Sequence, residues 1–562
     1  MSDQYTDKPR RPLRETVCEI DRDILRLVMR RHNIVAKMAA GKSHLAPQEE
    51  KYLREAWEAQ VARVSTDPLL SSRFFSLMQQ VEFLPKPGEE TEQVREQKHN
   101  AFGLAPTQKP VRIALAAPRD CLMTRAYMAL AAASGQPMKV APALMNDPIV
   151  HCLKMLNQMG ASLNREIDCV VASQGSPIGT PDTVLFVGDN MYNFCLALGH
   201  YLGRPSHAKF NGDGELKMTD LTALRHFLPT LGARLVHIVP RSDSFPVRVE
   251  SSGLLPDRIA FPADVPAELP IGMALAAPFY DKPVTLDLSA LPESKKIFNF
   301  IYVLLKSVDA RISGDSETIH IEPSEIVLPA SPTVPAAASI ASVLMLVTAL
   351  LTGEADLEGV LPDTEGARGH LALLAQAGVT PTLQGGHIRY ACKKPFTMPE
   401  GGFAIPEGFP AEWLPLPVAL TCAWAMREGK AVMPVGYAAG DSAWATAESF
   451  VKSCGLAVDG EGVVTPAARE EDAERGPAAA PSFIAPTAAW AVALSLAACA
   501  RPRKEIGLRL GNPGILTGLF PGYWPLYNSL PDPSARTKEA PKGRRRIRTD
   551  AVAQLTPRDE DV

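Results

Sequence analysis

Five charged residues near the start of the chain are spaced as a grip for a small dianion. Arg14, Arg31 and Lys42 fall within one run of apolar periodicity, and Arg54 and Glu55 follow as a pair. Arg31 and Lys42 stand 11 positions apart, which puts them on one face of a helix at about 100° per residue. Arg14 precedes Arg31 by 17 positions, so it lies about 100° round the helix and roughly 25 Å along its axis. One helix cannot aim all three at one ligand. An antiparallel partner brings Arg14 of one chain to Arg31 and Lys42 of the other, so the spacing predicts a homodimer with shared sites. The chemistry open to such a set is orientation and charge stabilisation. Guanidinium forks hold carboxylates bidentately, an ammonium donates to developing charge, and a glutamate accepts a hydroxyl.

The elements that must carry these residues are legible from periodicity. Leu13, Val17, Ile20, Ile24, Leu27, Val28, Ile34, Val35 and Met38 keep a mostly helical spacing, predicting a first helix from about Pro12 to Gly41. No strand signal occurs before residue 84. The following stretch over 85–110, PKPGEETEQVREQKHNAFGLAPTQKP, reads as a linker. The end of the chain is Pro-rich and charged, carries Lys542-Gly-Arg544-Arg545-Arg546-Ile547-Arg548, and reads as a disordered tail. The expected organisation is a helical domain over 1–90, a linker over 91–110, two lobes over 111–323 and 324–528, and a tail over 529–562.

The part between linker and tail repeats itself. Long Ala- and Leu-rich helices are expected near Thr124, Tyr192, Leu269, Ala336, Leu416 and Pro486, roughly 70 residues apart. Second helices end in LNQMGASL, LPTLGARL, LLKSVDARI, LLAQAGVTP and VKSCGLAV, each with a small or turn-forming residue at the stop and a short strand after it. A repeat holding both helix and strand is neither a helical solenoid nor a propeller blade. Helices apolar on every face must be buried on every side, so they belong inside a lobe with sheets outside. Six units make two lobes of three, with a ligand cleft between them. The fold class is α/β: N-terminal helices, then a two-lobed inside-out α/β barrel of six repeats.

Bulk composition narrows the partners. The 562 residues are 46% apolar and 21% charged, which fits a soluble globular protein. A net charge of −4 provides no overall field for nucleic acid or a membrane surface. Nine cysteines are scattered singly, with no C-x-x-C pair and no Cys/His spacing suited to zinc. They fit a reducing compartment, so a cytoplasmic protein with no metal and no cofactor is expected. The start, MSDQYTDKPRRPLRET, is too polar for a signal peptide. Residues 334–351 (VPAAASIASVLMLVTALL) are nearly long enough to span a bilayer, but they are rich in Ala and Ser and lack basic anchors. A buried core helix is expected there.

Two family resemblances sharpen this reading. LRETVCEIDRDILRLVMRRHNIVAKMAAGKSH, followed by YLREA, resembles the helical chorismate mutases over residues 11–84, with Arg14, Arg31, Lys42, Arg54 and Glu55 at the family's ordered positions. The resemblance implies a unimolecular rearrangement of chorismate to prephenate, driven by orientation and placed donors. Arg14 of the partner and Arg31 would hold the carboxylates. Lys42 would donate to one carboxylate and the ether oxygen, and Glu55 would accept the hydroxyl. Lys51 stands where the family usually has an acid, and Lys86 falls near its second donor to the ether oxygen.

The six-repeat part resembles the enolpyruvyl transferases, specifically EPSP synthase (3-phosphoshikimate 1-carboxyvinyltransferase). APRDCLMTRAYMALAAASGQPMKV, NDPIVHCLKMLNQMGASL, FVGDNMYNFCLALGHYLG, NGDGELKMTDLTALRHFLPTLGARL and NPGILTGLFPGYWPLY follow the family's order. The resemblance implies transfer of an enolpyruvyl group from phosphoenolpyruvate to shikimate-3-phosphate, two anions that need a ring of cations. Much of that ring is replaced. Asp120-Cys121 stands for Lys-Ser, Asp189-Asn190-Met191-Tyr192 for the Gly-rich loop, Glu215 for an Arg, and Pro266-Ala267-Glu268 for a phosphate clamp. Ala439-Gly440, Ala443, Ala488 and Gly518 stand for later charges. Arg125 and Lys217 are kept, and Glu412 replaces the Asp that handles the proton. Arg119, Arg204 and Arg225 are the cations left to compensate. A charged hydrogen bond contributes about 1.5–3 kcal/mol, so losing several removes most of the binding energy, and the acids would repel both reactants. The leading expectation is a chorismate mutase fused to an EPSP-synthase-like domain with few substrate-binding cations. The alternatives are a divergent but active carboxyvinyltransferase and a non-catalytic regulator or scaffold of the same pathway.

Overall fold

Six helices whose sequences leave almost no polar face form the interior of the computed structural model. It describes residues 102–104, 110–239, 242–392, 396–435, 437, 442–467, 482–500 and 508–530, with isolated helical positions between 27 and 60. The inner helices are α1 (Cys121–Ser134), α3 (Met191–Leu202), α5 (Glu268–Ala276), α7 (Ala338–Leu351), α9 (Pro415–Glu428) and α11 (Ala488–Cys499). In α3 every residue from Tyr192 to Leu202 is buried, and in α11 every residue from Ala489 to Cys499. Small residues permit this packing. A Cβ on Gly199 of α3 would lie 2.3 Å from the carbonyl oxygen of Gly272 in α5, and one on Gly272 would lie 2.1 Å from that of Cys195. The two helices thus cross backbone against backbone. The stretch 334–351 resolves as α7 after an extended lead-in, and among the described residues no helix is long and apolar enough to cross a membrane.

Between them come the second helices: α2 (Asp147–Gln158), α4 (Thr222–Phe227), α6 (Ser294–Lys306), α8 (Glu365–Gln376) and α10 (Ser442–Ser453), with α12 (Tyr523–Ser529) closing the order. These are one-sided. In α2 the buried positions are Ile149, Cys152, Met155 and Leu156, and in α6 Ile297, Ile301, Leu304 and Leu305. Such spacing gives an apolar stripe and a wet face.

Among the described residues, six separate sheets complete the units. Their strands alternate, as in Val247–Ser252 with Val247, Val249 and Ser251 inward, so one sheet face packs on helices and the other meets water. Apolar residues fall into two cores. One gathers α1, α3, α5 and their sheets from Ala126 to Val334, and the other gathers α7, α9, α11 and α12.

The lobe boundary differs from the sequence expectation. Strand Val111–Ala116, expected at the start of the first lobe, pairs in parallel with Gly353–Glu358, and its Val111 and Ile113 enter the second core. Strand Phe102–Leu104, inside the stretch expected to be a linker, likewise pairs with Leu508–Leu510, so this part of the linker is a sheet strand. From residue 102 the described chain therefore runs in the second lobe, crosses at 117–120 and returns at 330–337. The two crossings bond each other: Arg119 bridges Ala336, Asp120 N donates to Pro335 O (2.8 Å), and Ala337 N donates to Pro118 O (2.7 Å).

Candidate functional site

Three helix starts of the first lobe are tied together around one buried cation. Arg125, a turn into α1, is only 3% exposed. Its Nη1 donates to Asn190 Oδ1 (2.6 Å) and Asn193 Oδ1 (2.9 Å), its Nε donates to Cys121 O (3.2 Å), and its guanidinium lies 4.6 Å from the ring centre of Tyr192. Asn190 is the N-cap of α3, where its side chain also accepts from Asn193 N. Asn193 Nδ2 in turn donates to Pro148 O in the first turn of α2 and to Val187 O. Asn146, the N-cap of α2, accepts from Ile149 N and from the Cys121 thiol. The positive ends of three helices therefore converge beside a fixed guanidinium, an arrangement suited to an anion.

Two of the four acids read from the sequence as repulsive, Asp120 and Asp189, have other work. Asp120 is the N-cap of α1, with Oδ1 accepting from Met123 N at 2.7 Å. Burial raises its carboxyl pKa, opposed by the Met123 N–H and the charge of Arg125. Asp189 Oδ1 accepts from Leu216 N at 2.7 Å and so ties the turn Gly214–Met218 to the start of α3. Both carboxylates are committed to helix or turn starts, where the backbone dipoles offset their charge. Glu268 opens α5, and Glu215 is exposed.

The expected site residues divide accordingly. Lys217 sits exposed on the turn that Asp189 ties down, with Nζ 3.2 Å from Asp213 Oδ1. Glu412 is exposed in the short turn Ala411–Trp413 that leads into α9 of the other lobe. Of the three cations expected to compensate, Arg119 lies in the lobe crossing, where burial lowers its pKa against the opposing charge of Glu358. Arg225 is drawn off by the buried Asp243, at 3.4 Å. Arg204 follows the far end of α3, roughly 20 Å from Asn190 by helix rise, and so cannot replace a charge at the helix starts. The first turns of α7, α9 and α11 (ASIA, PLPV, AAWA) carry no charge. In the N-terminal part, Arg31 is a half-buried and Glu55 an exposed helical residue. Arg14, Lys42, Arg54 and Lys86 lie outside the described residues.

Sequence reading missed Asn146, Asn190 and Asn193 as organisers. The available signal was an Asn directly before an apolar helical run, an ordinary N-cap pattern.

A family model described as EPSP synthase (3-phosphoshikimate 1-carboxyvinyltransferase) matches residues 108–394. A curated 3-phosphoshikimate 1-carboxyvinyltransferase from Methanosphaera stadtmanae is 25% identical over 210 residues, covering 36% of this chain; the chain spans 49% of that relative's length. Two solved structures of EPSP synthase from Acinetobacter baumannii share the fold at TM-scores of 0.58 and 0.59, with 16% and 17% identity. Each covers 76% of this chain, which in turn covers 97% and 98% of theirs.

Proposed function

Because this chain belongs to the EPSP synthase (3-phosphoshikimate 1-carboxyvinyltransferase) family, we propose that it is a divergent member that still transfers an enolpyruvyl group. Phosphoenolpyruvate would give its enolpyruvyl unit to the 5-hydroxyl of shikimate-3-phosphate, and inorganic phosphate would leave. The observation that carries this reading is Arg125, buried and wired to the starts of α1, α2 and α3. A buried cation that fixes three helix N-termini is costly to keep without an anion to receive. Lys217, one short turn away, would add charge at the rim. Glu412, at the start of α9, would move the proton between hydroxyl and enol carbon. The uncharged helix starts of the second lobe fit a weak hold on phosphoenolpyruvate. The test is phosphate release by the full chain given both reactants, with calorimetry on each alone. Release that requires both, and shikimate-3-phosphate binding tighter than phosphoenolpyruvate binding, is expected. No release together with no shikimate-3-phosphate binding would end the proposal.

A second activity is supported by the ordered set Arg14, Arg31, Lys42, Arg54 and Glu55. We propose that residues 11–84 rearrange chorismate to prephenate as a homodimer whose sites are shared, with Lys86 the least secured of the ligand contacts. Arg31→Ala should abolish chorismate loss followed by absorbance; normal turnover in that variant would remove Arg31 from the site.

A further inference from the structure

The last loop of the second lobe ends on the first lobe through amide–carbonyl hydrogen bonds. Asn146 is 2% exposed at the start of α2. Its Nδ2 donates to the carbonyl oxygens of Gly518 (3.1 Å) and Leu519 (3.3 Å), at the end of the turn Pro513–Gly518. The same side chain spends its oxygen on the first lobe, on Ile149 N and the Cys121 thiol. Leu144, two residues earlier, packs against both cores.

The loop is held rigidly for this contact. Asn512 closes two bonds with the backbone of Ala485, both 2.8 Å. Trp524 Nε1 donates to Pro513 O at 2.9 Å. Tyr523 bonds Ser495 inside α11, and Tyr527 OH donates to Ser495 O. Helix α12 and the loop thus move with the second core, and Gly518 and Leu519 are presented as fixed acceptors.

We propose that Asn146 is an interlobe latch that holds the two lobes together before any ligand arrives. Among the described residues, the paired crossings at 117–120 with 330–337 and the Asn146 contact both join the lobes. Neutral amide–carbonyl bonds make the second of these, so it needs no anion between the lobes and is insensitive to salt. Closure in this chain is built in, and ligand entry requires the latch to open. The inference concerns the ligand-free protein and stands apart from the transferase reading.

The test exploits the two ends of the amide. Asn146→Asp keeps the oxygen that caps α2, since Asp caps as well as Asn, but it cannot donate to Gly518 or Leu519. Asn146→Ser also caps and is too short to reach. Hydrogen exchange of the full ligand-free chain is read over 144–150 and 512–522. The wild type should be protected in both segments, unchanged at about 0.5 M salt. Both variants should exchange at least tenfold faster in these two segments, while segments inside each core keep wild-type exchange. Wild-type segments that exchange freely until a ligand is added, protection lost in salt, or variants indistinguishable from wild type would each overturn the latch.

Discussion

Arg125→Ala will lower shikimate-3-phosphate affinity by about 100-fold or more, and Arg125→Lys will recover most of it. Arg125 is nearly sealed, and it bonds Cys121 O, Asn190 Oδ1 and Asn193 Oδ1, so its action on a ligand is through charge. A unit charge about 5 Å from an anion at an effective dielectric near 20 contributes about 3 kcal/mol, which is more than 100-fold. Lysine keeps that charge but loses the fork that reaches Asn190 and Asn193 together. Alanine also strands the two amide oxygens that Arg125 satisfied, at about 1–3 kcal/mol each, so the unfolding midpoint should drop as well. Calorimetry on folded protein separates the two effects. The lysine variant decides the matter if the alanine variant does not fold. A lysine variant that binds as weakly as alanine would mean geometry rather than charge is what Arg125 supplies, and unchanged affinity in both would remove it from the site.

Much of this architecture could be read from the chain because burial leaves a local mark. The inner helices were legible from runs such as ASIASVLMLVTALL, where no face is polar, and the observed starts fall within three residues of those expected. The second helices showed one apolar stripe. Pairing partners left no such mark. VRIALA reads as a strand, yet nothing in six residues says that it pairs with Gly353–Glu358 across the whole first lobe, so the lobe boundary was misplaced. Counting charges was also an incomplete guide to the site. Asp120 and Asp189 count as repulsion in a sequence, but bonded to Met123 N and Leu216 N they act as cap and turn anchor. Conversely, three asparagines carry no charge and were passed over, though they fix Arg125 and join the lobes. A network of neutral amides is invisible to charge counting and becomes visible only with hydrogen-bond geometry.

Acid will test the packing of the second lobe through one imidazole. His370 of α8 is 2% exposed, with its ring 4.9 Å from that of Phe409 and 6.0 Å from that of Trp413, and its Nδ1 has no hydrogen-bond partner among the described residues. Burial lowers its pKa from 6.5 to about 4. His200 of α3 is pushed to about 4 in the same way, by burial first and then by the charge of Arg204. For both, the unfolded chain takes up the proton first as pH falls. Stability is therefore complete above about pH 6.5 and declines until the folded pKa near 4, where the loss levels off. Each imidazole accounts for about 3 kcal/mol over that window. Asp287, held down to about 2 by Ser289 and Arg258, loses its contribution as pH falls from the ordinary carboxylate range toward 2, mostly below the histidine window. His370→Phe fills the same aromatic pocket with no atom to protonate and no unpaired nitrogen. It should leave the protein at least as stable at pH 7 and roughly halve the loss of urea midpoint between pH 6.5 and 4.5. An identical pH profile in wild type and variant would show that folded His370 takes up its proton as readily as the unfolded chain does, and that the second core tolerates a charge against Phe409 and Trp413.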